Sequence, residues 1–428
     1  MAIAGIGAPG PSGAPAGTIE ADMEDGATSS ARAPRTPSVI CAELRAWMFD
    51  AAIPAWLSRE TVHAHGGPEE SLNLDGKGPA GAGFRRTRVC ARQIYVMSHA
   101  ALLLQAMPGR QSQADAVRAC ALAYFEHFAA HMWMGPNRGW LRTIAADNSP
   151  LDETLDLYDH AFALFALGWL YQAFGDQRAP VLAHATLDVL EGRLRHPGGL
   201  GFHHAWPAMG PRQQNPHMHL CEAALVWAQM DGQLRFAALA DEMASLCTRH
   251  LVRMPDGILP EFFEADWAPV AKEAGQRVEP GHLFEWAWIL AQHQKLTGHD
   301  HAPVIRALVQ WAEQHGVDPG TQITFNALHV DGALIDRGSR VWPNTERMKG
   351  WIGAHEAVGL DPWPAVAGSA GLLLDRFLAP APRGMWIDAL DAQGAGCAPN
   401  IPTSTFYHLF LAFAETLRIS PSPETAGD

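Results

Sequence analysis

An all-α fold of twelve helices in one domain is what the sequence predicts, on three observations. From residue 39 onward apolar residues recur at three- and four-residue spacing, runs of β-branched residues are scarce, and Pro and Gly cut the chain into pieces of helical length. In order, the first helix covers 39–57 behind Ser38, a capping residue type. The second, 87–107, carries Arg88 and Arg92 in V-C-A-R-Q-I-Y-V, and the third, 112–131, is plainly amphipathic. The fourth, 153–174, follows Asp152 and holds Tyr158, Asp159 and His160, whereas the fifth, 179–195, is again ordinary. The sixth, 217–231, is entered through N-P-H-M-H-L-C-E-A-A-L, and the seventh covers 233–252. The eighth, 282–297, opens E-P-G-H-L-F-E-W-A-W-I-L, ahead of an amphipathic ninth at 301–316. The tenth, 343–358, is opened by Pro343 within R-V-W-P-N-T-E-R-M-K-G-W. The eleventh covers 361–378, and the twelfth, 403–418, begins T-S-T-F-Y-H-L-F-L-A-F-A-E.

Twelve helices without strands fit either an open solenoid or a closed double ring of six inner and six outer helices. No repeat is visible in the sequence to choose between them. The placement of polar groups is informative: the even helices carry charged and hydrogen-bonding residues near their N-terminal ends, and the odd ones do not. If the even helices form an inner ring, six sets of such groups converge on one mouth. The positive ends of six helix dipoles face that mouth, suited to a developing oxyanion.

Residues 1–37, rich in Ala, Gly, Pro and Ser and without periodicity, are expected to form a disordered tail. Residues 38–420 form the single expected domain, and 421–428 a short disordered tail. The 428 residues carry 31 Lys and Arg against 45 Asp and Glu, a net charge of −14, which argues against nucleic-acid and anionic-membrane partners. No apolar run reaches the ~20 residues of a membrane span, and the opening M-A-I-A-G-I-G lacks the basic region of a secretory signal. A cytoplasmic location is expected, with six scattered cysteines that read as reduced core residues. The glycine-rich stretch 66–83 lacks the G-K-[ST] ending of a phosphate-binding loop. Fifteen tryptophans against five tyrosines point to a heavy helical core.

Three chemistries fit the polar residues. His217, His219, Glu222, His282 and Glu285 include metal-ligand types, with H-x-x-E occurring twice, but the order is reversed from E-x-x-H and no H-E-x-x-H exists. Glu285 and Glu346 offer the paired carboxylates of a glycoside hydrolase, which has no need of the accompanying histidines. Proton transfer beside a carbonyl uses what is present: two histidines with ordinary pKa near 6.5, a carboxylate to set a tautomer, Arg92 for the oxygen charge and Trp342 to stack on a sugar face. His282 and Glu285 share a helix face at i, i+3, and Asn215/His219 and Trp342/Glu346 do so at i, i+4.

The stretches N-P-H-M-H-L-C-E-A, E-P-G-H-L-F-E-W-A-W, R-V-W-P-N-T-E-R-M-K and S-T-F-Y-H-L-F-L-A-F-A-E resemble the motifs of the N-acylglucosamine 2-epimerase superfamily, from about Ala42 to Leu417. The resemblance implies an (α/α)6 barrel and a cofactor-free, metal-free sugar isomerase or 2-epimerase, monomeric or homodimeric. By motif it makes His282 and His408 the acid/base pair and His219 a third active-site histidine beside Asn215. Glu285 would support His282, Trp342 and Glu346 would contact the sugar, Arg92 would hold its oxygens, and Tyr158 maps through L-Y-D-H-A-F. The W-P-N-T-E-R-M-K stretch is similar to the mannose isomerase-like branch, with Asn344 where Gln is usual. The expected reaction is D-mannose to D-fructose through a cis-enediolate. Epimerisation of N-acylglucosamine or cellobiose, or isomerisation of mannose 6-phosphate, is the alternative within the superfamily. An (α/α)6 glycoside hydrolase is the alternative outside it.

Overall fold

Thr36, rather than Ser38, caps the first helix, its hydroxyl accepting from the Val39 amide at 3.4 Å. The computed structural model describes residues 35–420 except Met209 and Asp231, so most of the first expected tail and all of the second lie outside the described residues. Arg35 already belongs to the folded part, ion-paired with Glu43 and Asp375.

Twelve long helices follow among the described residues. They are α1 (Pro37–Ala46, continued by a π-helical turn Trp47–Ala52 and by Ile53–Trp56), α2 (Thr87–Gln105), α3 (Gln111–His131), α4 (Leu157–Phe174), α5 (Arg178–Val189, then Leu190–Leu194) and α6 (Gln214–Ala228). The second half is α7 (Leu234–Leu246, then Cys247–Leu251), α8 (Pro280–Thr297), α9 (Ala302–Gly316), α10 (Val341–Val358), α11 (Trp363–Leu372, then Leu373–Leu378) and α12 (Phe406–Arg418). Each even helix packs on the next even one, and α12 packs back on α2, so the inner ring is closed. Each odd helix packs outside an even neighbour, with α1 on α12. The fold is an (α/α)6 barrel. The solenoid is excluded by the contact between α12 and α2.

Two later helix starts are built differently from expectation. Asp152 ends a short strand, Pro150–Asp152, and Asp156 caps α4 by accepting from the Asp159 amide at 3.1 Å. Residues 403–405 form a separate 3-10 turn ahead of α12. The strands themselves were not expected. A strand of two or three residues runs up to each inner helix, and each pairs antiparallel with the loop of a neighbouring hairpin. Ile401–Pro402 pairs with Ser71–Leu72, joining the end of the chain to its beginning as the helices do. Strands this short carry no readable alternation, yet they fix where the inner helices start.

Inner helices approach closely where glycine faces a neighbour. A Cβ on Gly350 or Gly353 of α10 would stand 2.9 and 2.8 Å from the Cα atoms of Phe284 and Trp288 in α8. The tryptophan surplus is largely core: Trp56, Trp140, Trp227, Trp286 and Trp386 are fully buried. All six cysteines are free and four are buried, but Cys397 is exposed. Among the described residues no helix is long and apolar enough to cross a membrane.

Candidate active site

The second and sixth residues of the inner helices share one face, four positions apart. They are Arg88 and Arg92 in α2, Tyr158 and Phe162 in α4, Asn215 and His219 in α6, Gly281 and Glu285 in α8, and Trp342 and Glu346 in α10. Most of these side chains meet at the mouth of the ring around a cavity of about 460 Å³. Eight of the nine expected site residues line it: Arg92, Tyr158, Asn215, His219, His282, Glu285, Trp342 and His408. Glu261, Glu279, Arg340 and Asp388, from the segments between helices, also line it.

Three histidines are held in one way. His219 Nδ1 lies 3.1 Å from Glu222, His282 Nδ1 lies 2.9 and 3.0 Å from the two oxygens of Glu261, and His408 Nδ1 lies 2.8 Å from Glu346. A carboxylate on Nδ1 takes that nitrogen's proton in hydrogen bond, fixes the ring and leaves Nε2 for the cavity. The proton affinities of His282 and His408 diverge. Burial works against a charged His282, but Glu261, in charge and hydrogen bond and backed by Glu279 and Glu285, outweighs it and raises the pKa to about 9. Burial, with Arg92, Lys349, His219 and Arg340 adding positive charge, holds His408 well below the ordinary histidine value. At neutral pH one ring is an acid and the other a base.

Trp342 stands between them, 4.9 Å from the His282 ring and 5.9 Å from the His408 ring. Gly281 makes room for it, since a Cβ there would lie 2.4 Å from Cζ3 of the indole. Across the cavity Arg92 donates to the Tyr158 hydroxyl at 2.7 Å and to the Ser404 carbonyl at 3.2 Å, its guanidinium 4.2 Å over the Phe162 ring. Asn215 Oδ1 is buried on this wall without a hydrogen-bond partner among the described residues.

Beneath the floor lies a buried charge cluster. Lys349 Nζ is 2.7 Å from Glu346 and 3.7 Å from Glu285, above the Trp288 ring at 4.5 Å. Burial opposes its charge, but Glu346, Glu285 and Glu222 raise its proton affinity above that of an ordinary lysine. Tyr407 donates to Glu222 at 2.6 Å. The ligand atoms of His219, Glu222 and Glu285 lie within 4.8 Å of one another, as do those of Glu285, Glu346 and His408. The Lys349 ammonium sits against Glu285 and Glu346, where a cation bound to that pair would stand, and Glu222 and Glu346 are already engaged by donors. This arrangement suits proton transfer better than a metal.

The family profile described as N-acylglucosamine 2-epimerase matches residues 67–412. The chain belongs to the N-acylglucosamine 2-epimerase family. It is 35% identical over 385 residues to a mannose-6-phosphate isomerase of Rhizobium meliloti (strain 1021), covering 87% of this chain and 95% of that protein. It is 26% identical to a D-mannose isomerase of Thermobifida fusca, covering 83% and 95%. The fold is that of a cellobiose 2-epimerase from Spirochaeta thermophila, with a TM-score of 0.76 at 24% identity, covering 89% of this chain and 96% of that one. The chain is thus a sugar isomerase or epimerase of this family.

Set within the family, two expected contacts are corrected. Glu285 does not hold His282; that carboxylate is Glu261, which sits in an irregular loop where no helical spacing could reveal it. Both Glu285 oxygens are buried without a hydrogen bond among the described residues. Glu346 does not line the cavity but lies below, between His408 and Lys349. Lys349 and Tyr407 were within quoted motifs, and the i, i+3 spacing of Glu346 and Lys349 was the available signal. His217 is a structural latch: Nδ1 meets the Gln213 carbonyl at 2.8 Å and Nε2 accepts from the Phe202 amide at 3.0 Å. Asn344 is another, accepting from the Thr324 amide at 2.9 Å and donating to the Arg340 carbonyl at 2.7 Å. The departure from the usual motif therefore lies outside the cavity wall.

Proposed function

We propose that this chain interconverts D-mannose and D-fructose without a metal, by proton transfer through a cis-enediolate. The observation carrying the proposal is the pair of rings flanking Trp342, His282 held protonated by Glu261 and His408 held neutral. His282 Nε2–H protonates the ring oxygen as the C1–O5 bond breaks against Trp342, and the anomeric hydroxyl gives its proton back to His282 Nε2 as the C1 carbonyl forms. His408 Nε2 then takes the C2 proton, and the electron pair moves to the carbonyl oxygen O1, met by Arg92. The hydroxyl proton passes from O2 to O1, a carbonyl forms at C2, and His408 returns its proton to C1. His219 Nε2 and the free acceptor Asn215 Oδ1 hold the remaining oxygens. Glu346 orients His408 and Glu261 orients His282.

Isomerisation rather than 2-epimerisation is favoured by the names of the two relatives above, since the same acid/base pair serves either outcome. A free sugar is favoured because Arg86, Arg88 and Arg340 at the cavity already face Glu70, Asp159 and Glu279 respectively. The relative named mannose-6-phosphate isomerase supports the phosphorylated sugar as the second reading. A hydrolase reading loses support because Glu346 is engaged by Lys349 and His408.

Proton NMR of the protein with D-mannose in D2O containing EDTA tests the proposal. Fructose is expected, with deuterium at C1 in the fraction of turnovers in which the proton on His408 exchanges with solvent before its return. Glucose as the first product would make the enzyme an epimerase, and conversion of mannose 6-phosphate alone would move the substrate. Loss of turnover with EDTA would overturn the metal-free chemistry.

A further inference from the structure

A second cluster lies far from the sugar cavity. His293 is buried on α8, eleven residues beyond His282 and so about 16 Å further along the helix. Its Nε2 is 2.9 Å from Asp241 Oδ1 on the outer helix α7. His299, from the loop after α8, brings Nδ1 to 3.6 Å from the same oxygen and stacks on His293 with ring centres 5.6 Å apart. The ligand atoms of the three residues all lie within 4.8 Å of one another. They open onto a cavity of about 550 Å³.

We propose that Asp241, His293 and His299 form a binding site for a borderline divalent cation such as Zn²⁺, at the end of the barrel remote from the sugar. Two imidazoles and one carboxylate with an open fourth position form a donor set suited to such an ion. Bonds of about 2.0–2.1 Å place tetrahedral ligand atoms about 3.3 Å apart, and the distances of 2.9 and 3.6 Å bracket that spacing. Without an ion Asp241 accepts a hydrogen bond from His293 at 2.9 Å and His299 stands off at 3.6 Å, whereas a cation would engage all three donors together. The outer shell is also built: His293 Nδ1 lies 2.9 Å from His301 Nε2, and His301 is held through its backbone amide by Gln294 Oε1 at 2.8 Å. With the His293 proton on Nδ1, donated to His301, both rings stay neutral and Nε2 is free to bind the ion. The ion would tie the outer helix α7 to the inner helix α8 and pin the loop that follows.

Calorimetric titration of the metal-stripped full chain with ZnCl2, alongside Asp241→Asn and His299→Gln, tests this. Both side chains are well exposed, 49% for Asp241 and 62% for His299, so neither variant disturbs the core. A site of micromolar or tighter affinity is expected, weakened by about tenfold or more in each variant, with sugar turnover unchanged by either substitution. No saturation below about 1 mM, or equal binding in wild type and both variants, would overturn the proposal. Zinc held instead by His219 and Glu222 would give the latter result, and would block turnover in all three proteins.

Discussion

Each of the three cavity histidines gives one ring nitrogen to a carboxylate, and for His282 and His408 the surroundings of that pair set the proton affinity. The base role proposed for His408 rests on Nε2 being the free nitrogen of a neutral ring. Replacing His408 by Ala is expected to lower kcat by about 10²–10⁴-fold while the far-UV circular dichroism stays unchanged. Retained turnover would remove His408 from the chemistry. In the proposed mechanism His282 acts protonated, so kcat/KM is expected to fall as pH rises through about 9, with the acid limb, assigned to His408, well below 6.5. In Glu261→Gln the main group raising the His282 pKa is gone, burial prevails, and the alkaline limb moves to lower pH. Each unit of that movement is about a tenfold loss of rate at a fixed pH above the limb. A pH–rate profile with an unmoved alkaline limb would show that Glu261 does not set the His282 charge. At this scale His219, His282 and Trp342 were legible because helix starts carry them at i, i+3 and i, i+4 spacing, and Arg92 and His408 because they are polar residues at the starts of even helices within motifs of the family. Glu261 was not, because a loop residue brought in from 21 positions away leaves no period.

Elements place these residues through two devices, one visible in the sequence and one not. The visible one is the face shared by the second and sixth residues of an inner helix. Gly281 breaks its pattern of large side chains for a steric reason: Trp342 from α10 occupies the space its Cβ would need. Gly281→Ala should therefore push the indole off its place between the two histidines. Overpacking of this kind costs about 1–3 kcal/mol, so a lower Tm is expected together with a raised KM for the sugar. A variant of unchanged Tm and KM would show that the indole has room to move. The device that was not visible is the short strand before each inner helix, with the latches His160, His217 and Asn344 at the fourth helical residue. His160 accepts from the Trp140 amide at 3.2 Å, as His217 does from Phe202. Histidine next to a helix start reads equally as ligand, base or latch until its partner is known, and the partners here are backbone amides of distant loops.

At the scale of the whole molecule the sequence left one choice open, a solenoid or a closed ring, and the structure closes the ring with aromatic contacts at the seam. Trp56 stacks on Phe406 with ring centres 5.2 Å apart, and Trp47 meets Phe413 edge-on at 5.5 Å, so α1 is joined to α12. On the inner side Gln93 of α2 donates to the Thr403 carbonyl at 3.0 Å, and Arg92 to that of Ser404. A periodicity argument sees none of this, because every contact spans nearly the full chain. The consequence is testable by ending the chain at residue 402. In a solenoid the last helix is a terminal repeat, and its loss leaves the others folded. In this ring its loss opens the inner circle between α10 and α2, removes one of the two long helices on which α1 packs and leaves the Trp56 and Trp386 rings without Phe406. The shortened chain should lack a cooperative thermal transition, whereas His408→Ala, which loses the same base with the ring intact, should keep one close to wild type. A shortened chain that unfolds cooperatively near the wild-type Tm would mean that closure adds no stability, and that the barrel behaves as a bent solenoid whose ends merely touch.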